Sequence, residues 1–401
     1  MTIMPLSGAS RPPLPQSWMD TPGSFWRTIM GVAKEHSEVA KDTDLDSKRY
    51  LSPLLARDGA AEAQDNPAQP GRSGVAWHYG APLVEQRNLE SGTALIDRSN
   101  RRVIRVDGPD APEFLNNLFS QKLDTAADGF TAAALDLDAQ GRILHTMTVT
   151  RVGTVFYLDT SAEEFLTLIS YLRRMIFWSE VTVEEADLAI LTLAGAPIDA
   201  SAAGPTFQRR VDWAGPARVD LAVPRTGLDA AVDKLIQAGA RLTGLMAYTA
   251  ERVKAVEPEA GVDLDSKTIP HEIPRWIGRE GSPGAVHLNK GCYRGQETVA
   301  RVDNLGRSPR LLVMLHLDGS APSMPAPGAE ITAGARTVGR LGTVVDDCDL
   351  GPIALALIKR SALDSALGIN DVSVSVDRDS LPVEEGKQRG RMAVNRLRGR
   401  E

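Results

Sequence analysis

The stretch HLNKGCYRGQETVAR, residues 287–301, holds one of only two cysteines in a chain of 401 residues. Between positions 287 and 310 the fixed charges are Lys290, Arg294, Arg301, Arg307 and Arg310 against Glu297 and Asp303. Nearby cations favour a thiolate over a thiol, and the thiolate is the nucleophilic form. Gly291 and Gly295 allow backbone conformations closed to other residues and let main-chain N–H groups approach a ligand. Gln296 offers a donor and an acceptor together, and Glu297 can accept from an amino or imino nitrogen. Local chemistry alone leaves two readings of Cys292 open, a small buried hydrophobe at the start of a strand or a reactive thiol. Cys348, flanked by acids in VVDDCDLG, reads as incidental because those acids disfavour a thiolate.

Other chemistries find no residues to carry them. The six histidines are scattered, and neither a Cys-x-x-Cys nor a His-x-x-x-His pair occurs. A closed zinc site or an iron–sulfur cluster takes about four such ligands, so no metal is expected to be held by this chain alone. Glycine-rich phosphate loops and a serine-hydrolase elbow are also missing. A net charge of −7 and a pI near 5.5 argue against a nucleic-acid or anionic-membrane partner. With two cysteines, no signal-peptide pattern at the start and no apolar run near eighteen residues, a cytoplasmic protein is expected.

The elements that must position Cys292 follow from the patterning. Residues 1–73, rich in Pro, Gly, Ser and Asp, read as a mostly disordered arm with one short helix in SFWRTIMGVA. A first α+β stretch covers 74–200. It opens with a strand at Arg102–Asp107 and a helix behind Asp110, with Pro112 in its first turn and Glu113 completing a capping box. A hairpin turning at 138–141, a strand near 155–159 and a helix at 161–174 behind a Ser161–Glu164 box follow. A second α+β stretch, 201–309, carries helices expected at 228–238 and 242–256 and then the cysteine motif. Short β-rich pieces over 310–380 predict a small barrel or sandwich, and 381–401 reads as a basic disordered tail.

The run Lys290-Gly291-Cys292-Tyr293-Arg294-Gly295-Gln296-Glu297 resembles the Lys-Gly-Cys-Tyr-x-Gly-Gln-Glu signature of the YgfZ family. GVDLDSKTIPHE (261–272), VIRVDGPDAPEFLNNLFSQ (103–121) and RTVGRLGTVV with GPIALALIKR resemble the same family, over roughly residues 75–376. That family comprises folate-binding relatives of the glycine-cleavage T-protein that act in iron–sulfur protein maturation. The resemblance implies an α+β fold with three T-protein-like subdomains ringed around a central folate cavity, the last a small β-barrel. It implies an accessory factor, with no turnover of its own established, that supports assembly, insertion or repair of iron–sulfur clusters. Its partners would be iron–sulfur client or assembly proteins and a small-molecule folate, tetrahydrofolate or a relative.

By the same resemblance Cys292 is the functional thiol, with Lys290 and Arg294 favouring its thiolate. Tyr293, Gly295, Gln296 and Glu297 would shape the motif or contact the pterin, and Asp97, Arg98, Arg142 and His145 would wall the cavity. T-proteins carry an acid pair in a Gly-x-x-x-Asp-Asp hairpin strand, whereas GRILHT here puts His145 and Thr146 at those places. A neutral His or Thr handles a protonated amine poorly, which argues against glycine cleavage. A tetrahydrofolate-dependent one-carbon transferase with substituted residues is the rival reading. Lys254 stands where YgfZ-like proteins tend to have glutamate, and PRWIGREGSPG enlarges the loop before the motif.

Overall fold

The computed structural model describes residues 50–62, 74–279, 282–321 and 323–382; the helix expected at SFWRTIMGVA and the basic tail beyond 382 lie outside them. Strands β1 (Ala60–Glu62) and β2 (Ala76–Tyr79) pair antiparallel and lead through helices α1 (Pro82–Gln86) and α2 (Asn88–Ser91) to β3 (Thr93–Asp97). Composition places 50–62 in the disordered arm, yet this segment is folded. The Ser52 N–H donates to the Gly74 carbonyl, and the Ser52 hydroxyl donates to Asp97. Leu54, fully buried, packs against the core beneath β3.

The first sheet contains β4 (Arg102–Asp107), β5 (Thr131–Leu137), β6 (Ile143–Val152), β7 (Val155–Thr160) and β8 (Thr182–Ala186), in the order β5-β6-β7-β4-β8 and antiparallel throughout. Helix α3 (Ala111–Leu118) leaves β4 after the Gly108 turn. Asp110 does not cap it, because its carboxylate accepts from the Glu180 N–H instead. Helix α4 (Ala162–Arg174) does start on its expected cap, with the Glu164 N–H donating to Ser161 Oγ at 3.2 Å. The Glu164 carboxylate leaves that box and reaches Thr146 on β6. Phe165, Leu168, Ile169 and Leu172 bury the apolar face of α4.

The second sheet runs β10 (Phe207–Arg210), β11 (Arg218–Pro224), β9 (Leu188–Gly195), β3 and β12 (Ala240–Thr243). Strands β3 and β9, inside the first α+β stretch of the sequence, therefore belong to the second sheet. Helix α5 (Leu228–Gln237) covers this sheet through Leu228, Val232 and Leu235. The helix expected from 242 begins later, as α6 (Leu245–Lys254), because 240–243 pairs in parallel with β3. Gly244 makes that bend, where a Cβ would come within 2.2 Å of the Trp77 carbonyl oxygen. The motif helix is α7 (Gln296–Leu305).

Strands β13 (Arg310–Leu317), β14 (Glu330–Ala333), β15 (Arg336–Asp347), β16 (Gly351–Lys359), β17 (Leu367–Ile369) and β18 (Val372–Val376) close into a barrel. Its longest apolar strands face two cores at once. Leu311, Val313 and Leu315 of β13, with Ala354, Ala356 and Ile358 of β16, fill the barrel. Their alternates Leu312, Met314, Ile353, Leu355 and Leu357 pack outward against α6, Tyr293 and the β5–β6 hairpin. Period-two alternation between two buried faces explains why these strands read as unbroken apolar runs. The whole is an α+β fold of two five-stranded sheets and a terminal barrel. Among the described residues no helix is long and apolar enough to cross a membrane.

Candidate functional site

Residues 290–294 alternate between anchoring and presenting. Gly291 and Cys292 are exposed, while Lys290, Tyr293 and Arg294 are buried. Cys292 is therefore not core filler. The Lys290 ammonium donates to three main-chain carbonyls, of Asn116 (2.5 Å), Phe119 (2.6 Å) and Gln121 (2.8 Å). These lie at the end of α3 and just beyond, where helix carbonyls lack intrahelical partners and a cation is favoured. Burial pushes the Lys290 pKa down to about 7, while three acceptors match the three protons of the charged form. Lys290 thus acts as a clamp on the first subdomain, its three donors going to main-chain carbonyls and not to Cys292.

Arg294 clamps the other side. Its Nε donates to the Leu137 carbonyl and its Nη2 to Asp136 Oδ1 at 2.6 Å, with the guanidinium over the Tyr171 ring. Asp136, fully buried on β5, uses its other oxygen on His145 Nδ1 at 2.8 Å, and His145 Nε2 meets the Thr167 hydroxyl of α4 at 3.0 Å. Burial pushes the Asp136 carboxyl up, but the His145 hydrogen bond and Arg294 outweigh it and hold the pKa below the usual range. Motif, hairpin and α4 are joined through this one carboxylate.

Two glycines permit the closest approach. Gly295 has φ +83°, and a Cβ there would lie 2.6 Å from the Asp138 carbonyl oxygen and 2.9 Å from Gly141 Cα. Gly141, at φ +74°, faces Thr298 equally closely. The hairpin turn therefore seats directly on the start of α7. Gln296 and Glu297 form the first turn of that helix, and Tyr293 lies in the core beside the barrel.

A separate cavity of about 170 Å³ lies between the first sheet, β11, α6 and residues 257–260, 275–276 and 282–284. Arg98, Arg101, Arg218 and Arg252 line it, with Trp213, Tyr248 and Trp276. The Arg98 and Arg218 guanidiniums stand over the Tyr248 ring at 4.6 and 5.2 Å. Buried acids fix them from behind. Arg218 donates to both oxygens of Asp220 (2.9 and 2.8 Å), and Arg101 and Arg209 bind Asp159. Burial would raise both carboxyls, yet these arginines hold Asp220 well below its usual range and Asp159 at about 2. The barrel supplies no lining residue; it braces the cavity from outside, where Thr343 accepts from Arg252 Nη2 at 2.6 Å.

Of the wall residues expected from sequence, only Arg98 lines the cavity. Asp97 is buried behind it and accepts from Ser52 and from the Ser99 N–H. Arg142 is exposed beside the hairpin turn. His145 faces α4, since strand alternation sends Thr146, and not His145, to the cavity. Tyr293, Gly295, Gln296 and Glu297 do not line it either, because the motif packs on the outer side of the hairpin. Sequence reasoning missed Arg218, Arg252 and the two cavity tryptophans. One signal was available in α6, where Arg252 falls at helical spacing on the stripe of Leu245, Tyr248 and Thr249.

With this geometry in hand, the chain can be placed among known proteins. Residues 75–200 match the GCVT N-terminal domain and residues 310–381 the CAF17 C-terminal beta-barrel domain. The chain is 28% identical over 269 residues to the mitochondrial iron-sulfur cluster assembly factor IBA57 homolog of Neurospora crassa, covering 62% of this chain and 60% of that protein. It is 28% identical over 236 residues to the tRNA-modifying protein YgfZ of Edwardsiella ictaluri, covering 55% of this chain and 70% of the relative. The crystal structure of aminomethyltransferase T of the glycine cleavage system from Bartonella henselae superposes with a TM-score of 0.68 at 20% identity, over 80% of this chain and 94% of that one.

Proposed function

Because the chain belongs to the YgfZ/IBA57 family, related to the glycine-cleavage aminomethyltransferase, we propose that it supports iron–sulfur cluster assembly or repair in client proteins. In this reading Cys292 is the working thiol and a reduced folate occupies the central cavity. The observation that carries it is the exposed Cys292 held between two buried clamps, Lys290 and Arg294. A loop pinned at both flanks presents its thiol to another molecule without ordering cost at the encounter.

The cavity suits a folate on chemical grounds. Tyr248, Trp213 and Trp276 supply aromatic surface along the wall for a planar ring, and the arginines favour the anionic tail. Bound there, a reduced folate would bring amine nitrogens able to carry a one-carbon unit. The chain's own part is to hold the ring among aromatic faces and to keep the thiol outside that chamber. A net charge of −7 works against a nucleic-acid phosphate backbone as partner.

A strain lacking the gene, assayed for several iron–sulfur enzymes and complemented with wild type or Cys292→Ala, tests the reading. Wild type is expected to restore activity, and the alanine variant to restore none while folding and binding tetrahydrofolate within about twofold of wild type. Full complementation by Cys292→Ala removes the thiol from the function. Formation of product from tetrahydrofolate and small amines by the purified chain would instead establish a transferase.

A further inference from the structure

Three large apolar side chains that the fold leaves in solvent lie together, outside the cavity. Leu83 (47% exposed) and Val84 (68%) sit on α1, and Leu350 (44%) in the turn between β15 and β16. Side-chain bonds join the two elements. Gln86 Nε2 donates to the Asp346 carbonyl and Gln86 Oε1 accepts from the Cys348 N–H, both at 2.8 Å. Arg87, on the same side of the helical turn as Leu83 and Val84, donates to Asp349 at 2.8 Å. Contiguous apolar patches with a polar rim mark surfaces that another segment covers.

The rim is acidic. Asp346 and Asp349 are exposed, with Glu90, Glu251 and Asp347 close by, and these carboxylates outnumber the cations Arg87, Lys254 and Arg241. Burial raises the Glu251 pKa; Lys254 opposes the rise, and Asp347 and Glu90 add to it. Burial, Asp347 and Asp349 push the Cys348 thiol up.

The end of the same chain has the complementary chemistry. Beyond 382, Lys387, Arg389, Arg391, Arg396, Arg398 and Arg400 follow one another, and RMAVNRLR sets Met392, Val394 and Leu397 among the arginines. The barrel fixes where this segment starts. The Met314 N–H donates to Ser380 Oγ at 3.2 Å, and Met314 pairs with Leu355 of β16. Leu350 lies five positions before Leu355, about 17 Å along a strand. Residues 383–390 span up to about 27 Å when extended, enough to bring the arginines that follow onto the patch.

We infer that Arg391–Arg398 of this chain docks on the patch of Leu83, Val84 and Leu350, with its apolar side chains on the patch and its arginines on the acidic rim. Covered in this way, Cys348 is withheld from solvent and Cys292 is left as the one thiol that the chain presents.

Trypsin, which cuts after arginine, tests the docking in the full chain, with mass spectrometry following the bonds after Arg391 and Arg396 and circular dichroism confirming the fold of each variant. At low salt these bonds should be cut about tenfold more slowly in wild type than in Val84→Asp or Asp346→Arg, because cutting tracks the undocked fraction. Salt of about 1 M, which shortens the Debye length to about 3 Å, should narrow that gap. In the Cys292→Ala chain, Leu397→Cys should form a disulfide with Cys348 within one molecule when oxidised with diamide, and Asp346→Arg should slow it several-fold. Equal cutting in wild type and both patch variants overturns the docking. Protection that fades on dilution makes the occupant a second copy's tail and overturns the assignment to the same chain. A protected chain in which Leu397→Cys forms no disulfide with Cys348 places the segment elsewhere and overturns the patch.

Discussion

The thiol loop and the central cavity share one hairpin and use it in opposite ways. On the outer side of β5–β6, Lys290 and Arg294 reach inward to carbonyls and to Asp136, and their commitment leaves Cys292 exposed. On the inner side, Thr146 and Thr148 face a chamber whose Arg101 and Arg218 are fixed by Asp159 and Asp220. In the loop the charges serve as architecture and the thiol is presented. In the cavity the acids serve as architecture and the cations face the space. A basic cluster in sequence is therefore not by itself an activating environment, because the question is where each cation's protons go.

The comparison predicts that loop and cavity can be broken separately. Lys290→Met leaves three carbonyls without a donor and should cost about 3 kcal/mol in denaturant unfolding. Cluster support should fall while tetrahydrofolate affinity in the surviving folded fraction stays near wild type; a parallel loss of both would mean that one unit serves both sites. The pH dependence sharpens the cavity side. Asp159 is held at about 2 in the folded chain, below the ordinary carboxylate value near 4, so its contribution is full above that value. It is lost as pH falls from about 4 towards 2, amounting to about 2 kcal/mol, and Asp159→Asn should flatten that part of the acid-unfolding curve. Asp136→Asn weakens the join between Arg294 and His145 and should cost about 1–2 kcal/mol, with reactivity of Cys292 toward a soluble disulfide reagent altered and ligand binding retained. The smallest effect is expected for Lys254→Ala, about 0.5 kcal/mol with unchanged affinity for tetrahydrofolate. A large loss of affinity there would place Lys254 in the binding machinery despite its ion pairs with Glu251 and Asp347.

Much of the local structure was legible. Strand Arg102–Asp107 and the hairpin turning at 138–141 follow from alternation and turn residues, and α4 begins on its Ser161 cap. Leu242 was read as the first apolar position of a helix because a short parallel strand carries no periodicity of its own; pairing with β3, distant in sequence, decided it. Asp110 failed as a cap for a similar reason, since the Glu180 N–H, 70 positions away, competes for its carboxylate. The motif itself was found, but the direction of its side chains was not. Lys290 meets Asn116 across 174 positions and Arg294 meets Asp136 across 158.

By itself the sequence determined that one cysteine lies in a glycine-flanked, cation-rich run and that a β-rich unit follows it. These follow from residue types and short-range periods, which act over a few positions. Only the tertiary structure decided that the cations are clamps, that His145 turns from the cavity while Thr146 enters it, and that Arg98, Arg218, Arg252 and Trp276 share one chamber. Those outcomes depend on which buried donors and acceptors meet once the two sheets and the barrel pack, and that competition is settled over long sequence separations.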